Sequence, residues 1–292
     1  MTEWLIGCGQ ITWPRDISEE LILAEIASAG YAGAPIGPKP ATSAAERLAL
    51  WHRSGLAPAP GYIGADFWDP RKYPAIIAQA TSYAQFAREV GVTACYVAAN
   101  VDNTKLVNGR TRMQAAGHVS AADGLTDAEW DQFIATITEV GTIMRAHGVT
   151  AAFHNHVGSF VETRTELDRL MDAVAPDVLA LGPDTGHMAW AGDDPVAMVQ
   201  AYAPRIRTMH LKDVNAAAAA KARADRTDYR GAERYGVWTE LGQGSVDFPT
   251  IFATLRAAHF AGWLIVETDV TQLESPMASA LQSRAYLRSV GI

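Results

Sequence analysis

Four short apolar segments in the second half of the chain each run into residue types that bind metals or move protons. They are residues 151–156 (AAFHNH), 178–187 (VLALGPDTGH), 206–213 (IRTMHLKD) and 263–269 (WLIVETD). Each apolar segment is typical of a buried strand. If these strands are neighbours in a closed parallel barrel, the side chains at their carboxyl ends converge on one mouth. We therefore expect the carboxylates and imidazoles to hold a metal or to move protons.

Strand-like and helix-like segments alternate along the 292 residues, and eight strand–helix units can be counted. The predicted strands span residues 5–9, 31–36, 56–63, 93–98, 149–154, 178–182, 206–210 and 262–267. This alternation favours a parallel sheet, and eight units favour its closure into a (β/α)8 TIM barrel. An open doubly wound sheet is the alternative, but no GxGxxG motif follows the first strand.

Two insertions interrupt the alternation, one after strand four and one after strand seven. Residues 100–125 form a polar insertion, and residues 214–236 include an alanine-rich piece that is expected to be helical. Long insertions in such barrels often act as lids over the mouth. No linker rich in Gly, Pro or Ser divides the chain, so the prediction is one domain over residues 1–292.

The bulk composition narrows the function classes. A net charge of -8 argues against a nucleic-acid surface, because phosphates require clustered Lys and Arg. The two cysteines, Cys8 and Cys95, form no CxxC pattern and suit buried thiols in a reducing compartment. No signal peptide is visible, and no apolar run approaches the ~20 residues that span a bilayer. We expect a cytoplasmic protein that binds neither membranes nor nucleic acid.

The metal-site prediction starts from Asp184, His210 and Glu267, which all lie at the ends of predicted strands. A fourth ligand is expected from strand five or the turn after it. The candidates for it are His154, His156 and Glu162. Three carboxylates with one imidazole would suit manganese or magnesium, with cobalt, iron or zinc as alternatives. Glu162 has a second interpretation, because a carboxylate at this position can also stabilise the start of the helix near residue 163.

Longer motifs extend this pattern over essentially the whole chain. They are HNH with the following VET (154–163), DTGH (184–187), HLKD (210–213), LGQGSVDF (241–248), WLIVETD (263–269) and SRAYL (283–287). With these motifs the chain resembles the xylose-isomerase-like sugar isomerase/epimerase barrels. Within them it is most similar to the inosose (keto-inositol) dehydratase branch.

This resemblance implies one divalent metal held by glutamate, aspartate, histidine and glutamate. Residue by residue, these are Glu162, Asp184, His210 and Glu267. It also implies a sugar or cyclitol substrate and a homo-oligomer, either a dimer or a tetramer. The chain departs from many relatives at strand two, where Ala34-Pro35 stands in place of a nearby carboxylate. That departure bears on the substrate rather than on the metal.

The expected chemistry begins with a metal that binds two oxygens of a keto-sugar and acidifies the adjacent C–H bond. Return of the proton gives isomerisation or epimerisation, whereas loss of a β-substituent gives dehydration or elimination. The candidate catalytic groups are Glu162, Glu267, His154, His156 and His187. Because histidine titrates near neutrality, the extra imidazoles favour a lyase that acts on a keto-inositol or 3-keto-sugar through a metal-stabilised enediolate. His187 has the alternative role of orienting Asp184.

Candidate substrate-binding residues surround this predicted centre. Strand alternation turns Lys212 to the same side as His210, and Asp213 is its neighbour. Trp13, Tyr62 and Trp68 follow early strands and could stack on sugar rings. The alternatives are a surface salt bridge for the charged pair and packing at the rim for the aromatic residues.

Three other functions are kept as alternatives to the lyase. The first is a metal-dependent isomerase or epimerase of a ketose or sugar. The second is a DNA repair enzyme like endonuclease IV, which would need more histidine ligands and a basic face. The third is a sugar-binding barrel without catalysis, which the full set of ligand positions disfavours.

Overall fold

The computed structural model describes residues 4–292, in which strands alternate with helices. The strands are Leu5–Cys8 (β1), Gly33–Pro35 (β2), Ala57–Ala59 (β3), Tyr62–Ala65 (β4), Ala94–Ala99 (β5), Thr150–Phe153 (β6), Ala180–Leu181 (β7), Thr208–Leu211 (β8), Asp213–Val214 (β9), Trp238–Thr239 (β10) and Trp263–Val266 (β11). The helices are Glu19–Ser28 (α1), Ala44–Arg53 (α2), Tyr73–Glu89 (α3), Asp127–Ala146 (α4), Arg164–Ala173 (α5), Thr185–Ala191 (α6), Pro195–Tyr202 (α7), Ala216–Ala224 (α8), Tyr229–Arg234 (α9), Phe248–Ala257 (α10) and Pro276–Ser289 (α11). Residues 1–3 of the predicted domain lie outside the described part.

The strands close into the predicted (β/α)8 barrel. One parallel sheet has the order β3-β2-β1-β11-β8, and the other has the order β4-β5-β6-β7. The strands β3 and β4 together make predicted strand three, which is interrupted between residues 59 and 62. Parallel bridges from Leu181 to Ile206 and from Asp184 to His210 join β7 to β8 on the other side. The fold prediction is therefore confirmed, with β11 as the eighth barrel strand.

Helices around the barrel begin at capping residues. Ser18 caps α1 by accepting a hydrogen bond from the Leu21 amide. Thr126 and Glu129 form a reciprocal capping box at the start of α4, which satisfies backbone N–H groups that lack helical partners. None of the helices within residues 4–292 combines the length and the apolar composition that crossing a membrane requires.

The two insertions contact each other near the carboxyl ends of the strands. The first lies between β5 and α4, and the second carries β9, α8, α9 and β10. The Tyr229 amide donates to the Met113 carbonyl at 3.0 Å, which links the second insertion to the first. The Asp102 amide donates to the Gly158 carbonyl at 2.9 Å, which ties the first insertion to the loop after β6. The alanine-rich piece is helical, as predicted, and forms α8.

Candidate active site

Three buried side chains at the carboxyl ends of neighbouring strands form a compact group. His154 directly follows β6, Asp184 lies just beyond β7, and His210 belongs to β8. One potential ligand atom from each lies within 4.8 Å of the other two. The Asp184 Oδ2 atom is 3.9 Å from His154 Nε2 and 3.7 Å from His210 Nδ1. The group can therefore offer three ligands to one metal ion.

The Glu267 carboxylate lies beside this group, directly after β11. Its Oε2 atom is 3.2 Å from His210 Nδ1. Gly9 follows the adjacent strand β1, and a Cβ atom at that position would collide with the Glu267 side chain. The glycine thus leaves the space that the carboxylate occupies. Glu267 is placed to act as a fourth ligand.

Lys212 connects the carboxylates of the site. Its Nζ atom lies 2.5 Å from Asp269 Oδ1, 3.2 Å from Glu267 Oε2 and 3.6 Å from Asp184 Oδ2. Burial lowers the pKa of Lys212, but these three carboxylates raise it more, so the pKa is well above its usual value. Lys212 is therefore charged and faces the site, as strand alternation predicted. Asp269 was not among the predicted site residues, although it ends the WLIVETD motif.

The charges of the site fit a divalent cation. Burial lowers the pKa of His210, but Glu267 and Asp184 raise it more, to about 9. Without a metal, His210 therefore carries a proton at neutral pH. Oxygen atoms of Asp184 and Glu267 lie 3.7 and 3.2 Å from His210 Nδ1, so both side chains would share an ion that binds this nitrogen. A divalent cation in this position would replace the His210 proton as the positive charge beside these carboxyl groups.

Unpaired atoms in the same place support this fit. Asp184 Oδ2 and His210 Nδ1 are buried, and neither has a hydrogen-bond partner within the described residues. Buried polar atoms are nearly always paired, so such exceptions call for an explanation. The two atoms lie 3.7 Å apart, so one metal ion could bind both.

Asn155, the central residue of the HNH motif, fixes the position of Asp184. The Asp184 amide donates to Asn155 Oδ1 at 2.9 Å, and Asn155 Nδ2 donates to the Asp184 carbonyl at 3.2 Å. Asp184 Oδ1 accepts from the His187 amide at 2.9 Å and so caps α6. One oxygen is thereby held by the helix, and the other is left free for a ligand. The role of Asn155 was missed because its bonds reach across to a different strand end.

Glu162 lies apart from this group, in contrast to the prediction. Its Oε1 atom accepts from the Gly117 amide at 2.8 Å, and its Oε2 atom accepts from the Gly158 amide at 2.6 Å. Burial raises the pKa of Glu162 to about 7, although Arg112 and the two amides lower it. The loop after β6 turns this carboxylate toward the first insertion, and its bonds join the two. His154, the reserve candidate, occupies the place beside Asp184.

The rings of His156 and His187 lie against each other, with centroids 3.7 Å apart and planes tilted by 36°. His187 is fully buried, whereas His156 lines the cavity described below. His156 Nδ1 lies 2.7 Å from the Val157 carbonyl oxygen. This contact does not involve the other ring nitrogen, Nε2. Burial, assisted by the charge on Lys212, lowers the pKa of His156 to about 4 and also lowers that of His187. The expectation that these imidazoles titrate near neutrality is therefore wrong. Both rings are neutral at pH 7, so neither is an imidazolium that could act as the general acid at the start of the reaction.

Of the three predicted stacking residues, Tyr62 alone lines the cavity. Its ring meets the His154 ring edge-on at 5.5 Å. Trp13 is buried and donates from Nε1 to Glu25 Oε2 at 2.6 Å, so it packs against α1. Trp68 lies against Phe160 and beneath the Lys105 ammonium group. The alternative of structural packing therefore describes the two tryptophans.

Asp213 is a structural residue here rather than a substrate contact. Its Oδ1 atom accepts from the amides of Val214 and Val246, and its Oδ2 atom accepts from those of Gly242 and Gly244. The LGQGSVDF motif is thus a loop folded around this buried carboxylate. Four bonds leave Asp213 little capacity to bind anything else.

A cavity of about 380 Å³ opens beside the cluster. The residues that line it are Ile11, Pro35, Pro60, Tyr62, Tyr96, His154, His156, His210, Lys212 and Glu267. Its volume suits a small organic molecule. The contribution of Ile11, Pro60 and Tyr96 was not predicted, and Pro35 was noted only as the residue in place of a carboxylate, because residues of these types also occur in the core and do not mark a site by themselves.

Comparison with known proteins agrees with the fold and the motifs. Residues 23–290 match the family described as Xylose isomerase-like TIM barrel, and the chain belongs to this family. It is 30% identical to an inosose dehydratase of Geobacillus kaustophilus (strain HTA426), over 97% of this chain and 93% of that protein. It is 33% identical to the rhizopine catabolism protein MocC of Rhizobium meliloti, over 90% of this chain and 81% of that protein. The predicted resemblance to inosose dehydratases is thereby confirmed.

A solved structure of L-ribulose 3-epimerase has the same fold, with a TM-score of 0.72 and 18% identity over 99% of this chain and 94% of that one. The structure of the probable 3-DHS dehydratase AsbF from Bacillus anthracis aligns with a TM-score of 0.69 and 15% identity over 98% of this chain and 99% of that one. At these identities the likeness concerns the fold.

Proposed function

We propose that this protein is a divalent-metal-dependent lyase that removes water or another β-substituent from a keto-inositol or 3-keto-sugar. The observation that carries the proposal is the group His154, Asp184 and His210, with Glu267 and Lys212 beside it, at the mouth of the barrel. Relatives named inosose dehydratase, which align over nearly the whole chain, support an enzyme that modifies sugars or cyclitols.

The metal would be held by His154, Asp184, His210 and Glu267. Two imidazoles and two carboxylates suit first-row divalent ions, and manganese is our proposal, with iron, cobalt, zinc and magnesium as competitors. When bound, the ion polarises the ketone and hydroxyl oxygens of the substrate and thereby acidifies the adjacent C–H bond.

The side chains around the cavity supply the proton transfers. His156 lines the cavity, and its ring is held by the contact of Nδ1 with the Val157 carbonyl and by the tilted contact with His187, so Nε2 is the nitrogen that we assign to proton transfer. As a neutral base, it can accept the proton from the substrate carbon. The same nitrogen can then give that proton to the departing oxygen on the neighbouring carbon, so the net products are the unsaturated ketone and water. The Lys212 ammonium stabilises the negative charge that develops on the substrate oxygen.

The alternative is an isomerase or epimerase. It follows from the same residues if the proton that His156 accepts returns to carbon and no substituent departs.

One sample tests both outcomes. Metal-loaded enzyme in D₂O is incubated with a panel of keto-inositols, 3-keto-glycosides and ketoses. Deuterium incorporation is followed by NMR, and formation of an unsaturated ketone by ultraviolet absorbance.

The proposal predicts the unsaturated product together with released water or alcohol. Deuterium exchange with a new epimer and no unsaturated ketone would replace the lyase with the epimerase. No exchange and no product across the panel, with metal bound, would contradict both.

A further inference from the structure

The cavity has two chemically different halves, and the difference follows the order of the strands. Its polar half comes from the later strands and carries His154, His156, His210, Lys212 and Glu267. Its other half comes from the early strands and their following residues. These early positions are Ile11, Pro35, Pro60 and Tyr62. The tenth lining residue is Tyr96 of β5, and its phenol is already paired with Thr208 Oγ1 at 2.6 Å.

The early half offers few hydrogen bonds to a ligand. Ile11 follows β1 and is 56% exposed, although it is a large aliphatic side chain. Pro35 and Pro60 have no amide hydrogen to donate. The Pro35 carbonyl already accepts from Gln10 Nε2 at 3.0 Å. The phenol of Tyr62 is the one side-chain polar group among these four residues.

This half is poorly suited to a fully hydroxylated ring. A free cyclitol or ketose has an oxygen on nearly every carbon, and each buried hydroxyl loses water that must be replaced by a partner. The polar half can satisfy the oxygens next to the reacting carbon. A hydroxyl that faces Ile11, Pro35 and Pro60 would lose its water without gaining an equivalent bond. An alkyl or aryl group in that place would instead gain from burial.

We propose that the substrate carries an apolar, ether-linked substituent on its ring, which lies against Ile11, Pro35 and Pro60. This inference rests on the proposed function and narrows its substrate class to O-alkylated or O-arylated keto-cyclitols and keto-sugars. The substituent is not the leaving group. It would contact the early-strand residues, and the reacting carbons would remain those next to the cluster.

Paired substrates test the inference. The KM of an unsubstituted keto-cyclitol is compared with those of its O-methyl and O-phenyl ethers, with the leaving group kept the same. Burial of one methyl group predicts a KM lower by about fourfold for the methyl ether, and the phenyl ether should show a larger effect. The kcat should change little. A KM for both ethers equal to or higher than that of the parent compound would overturn the inference.

A matched pair of variants locates the effect. Ile11→Ser removes an exposed side chain from the cavity wall, so the ether preference should fall by about tenfold for the phenyl compound. Leu21→Ser is the control, because Leu21 lies on α1 away from the cavity and is similarly exposed, at 48%. It should leave the preference intact. Equal preference in wild type and Ile11→Ser would show that the wall does not contact the substituent.

A binding measurement separates failure of the inference from failure of the proposed function. Calorimetry with the metal-loaded enzyme uses unreactive probes, namely scyllo-inositol and its mono-O-phenyl ether. Tighter binding of the ether, lost in Ile11→Ser, would support the inference even if no compound is turned over. Turnover of the unsubstituted ketone with equal binding of both probes would support the function and overturn the inference.

Discussion

Proton release on metal binding is the sharpest consequence of the charges around His210. The carboxylates of Glu267 and Asp184 raise its pKa to about 9, so the imidazole is protonated in the metal-free protein at pH 7.5. A metal ion requires the neutral ring and must displace that proton. A pKa of about 9 predicts release of about one proton per ion at pH 7.5, whereas an ordinary histidine pKa of about 6.5 predicts about 0.1.

The sign of the pH dependence follows directly. Protonation opposes the metal, so the affinity for Mn²⁺ should rise about tenfold for each pH unit between about 7 and 9 and then level off. Titration calorimetry of the metal-free protein, in two buffers with different ionisation enthalpies at the same pH, counts the protons. The affinity itself comes from the same isotherms across the pH range.

Two carboxyl-to-amide variants provide the comparison. Glu267→Gln removes the carboxylate that raises the pKa of His210 most, so proton release at pH 7.5 should fall well below one. Glu162→Gln removes a buried carboxylate that lies apart from the cluster and should leave the count unchanged. If the first variant binds too weakly for calorimetry, NMR titration of its imidazole resonances gives the pKa. Release near 0.1 proton in wild type, or no change in Glu267→Gln, would refute the reasoning.

Three substitutions, Glu267→Gln among them, have further expected outcomes. Glu267→Gln should abolish turnover while the circular dichroism spectrum stays that of wild type. Activity within about tenfold of wild type, with metal bound, would show that Glu267 is neither a metal ligand nor the base. Asn155→Ala should weaken metal binding by about 10–100-fold, because it removes both bonds that position Asp184, and an unchanged Kd would show that the strand end alone orients the ligand. Asp213→Ala should lower the free energy of unfolding, measured by urea denaturation, by about 3 kcal/mol, because four amides lose their acceptor. A decrease of less than about 1 kcal/mol would mean that the loop at residues 241–246 repacks.

The barrel could be predicted from the sequence because its signals are local. Ser18 and the Thr126–Glu129 pair are capping residues by type and spacing, and α1 and α4 begin at these positions. The convergence of Asp184 and His210 also followed from a simple rule, since neighbouring parallel strands bring their carboxyl ends to one edge.

The remaining residues depend on contacts between distant segments. Lys212 and Asp213 are adjacent in sequence, but strand alternation turns them in opposite directions. Lys212 faces the barrel mouth, and Asp213 faces the loop at residues 241–246. Glu162 is a plausible ligand by type, yet its loop turns back to Gly117 in the first insertion. Which partner each carboxylate meets is decided by the path of the loops, and that path has no periodic pattern in the sequence.

The most direct test of the central claim is the position of the metal ion. Crystals grown with Mn²⁺ and measured at the manganese absorption edge locate the ion by anomalous scattering. We expect one ion per chain, about 2.0–2.6 Å from ligand atoms of His154, Asp184, His210 and Glu267. An ion more than about 3 Å from both Asp184 and His210, or one bound by Glu162, would contradict it.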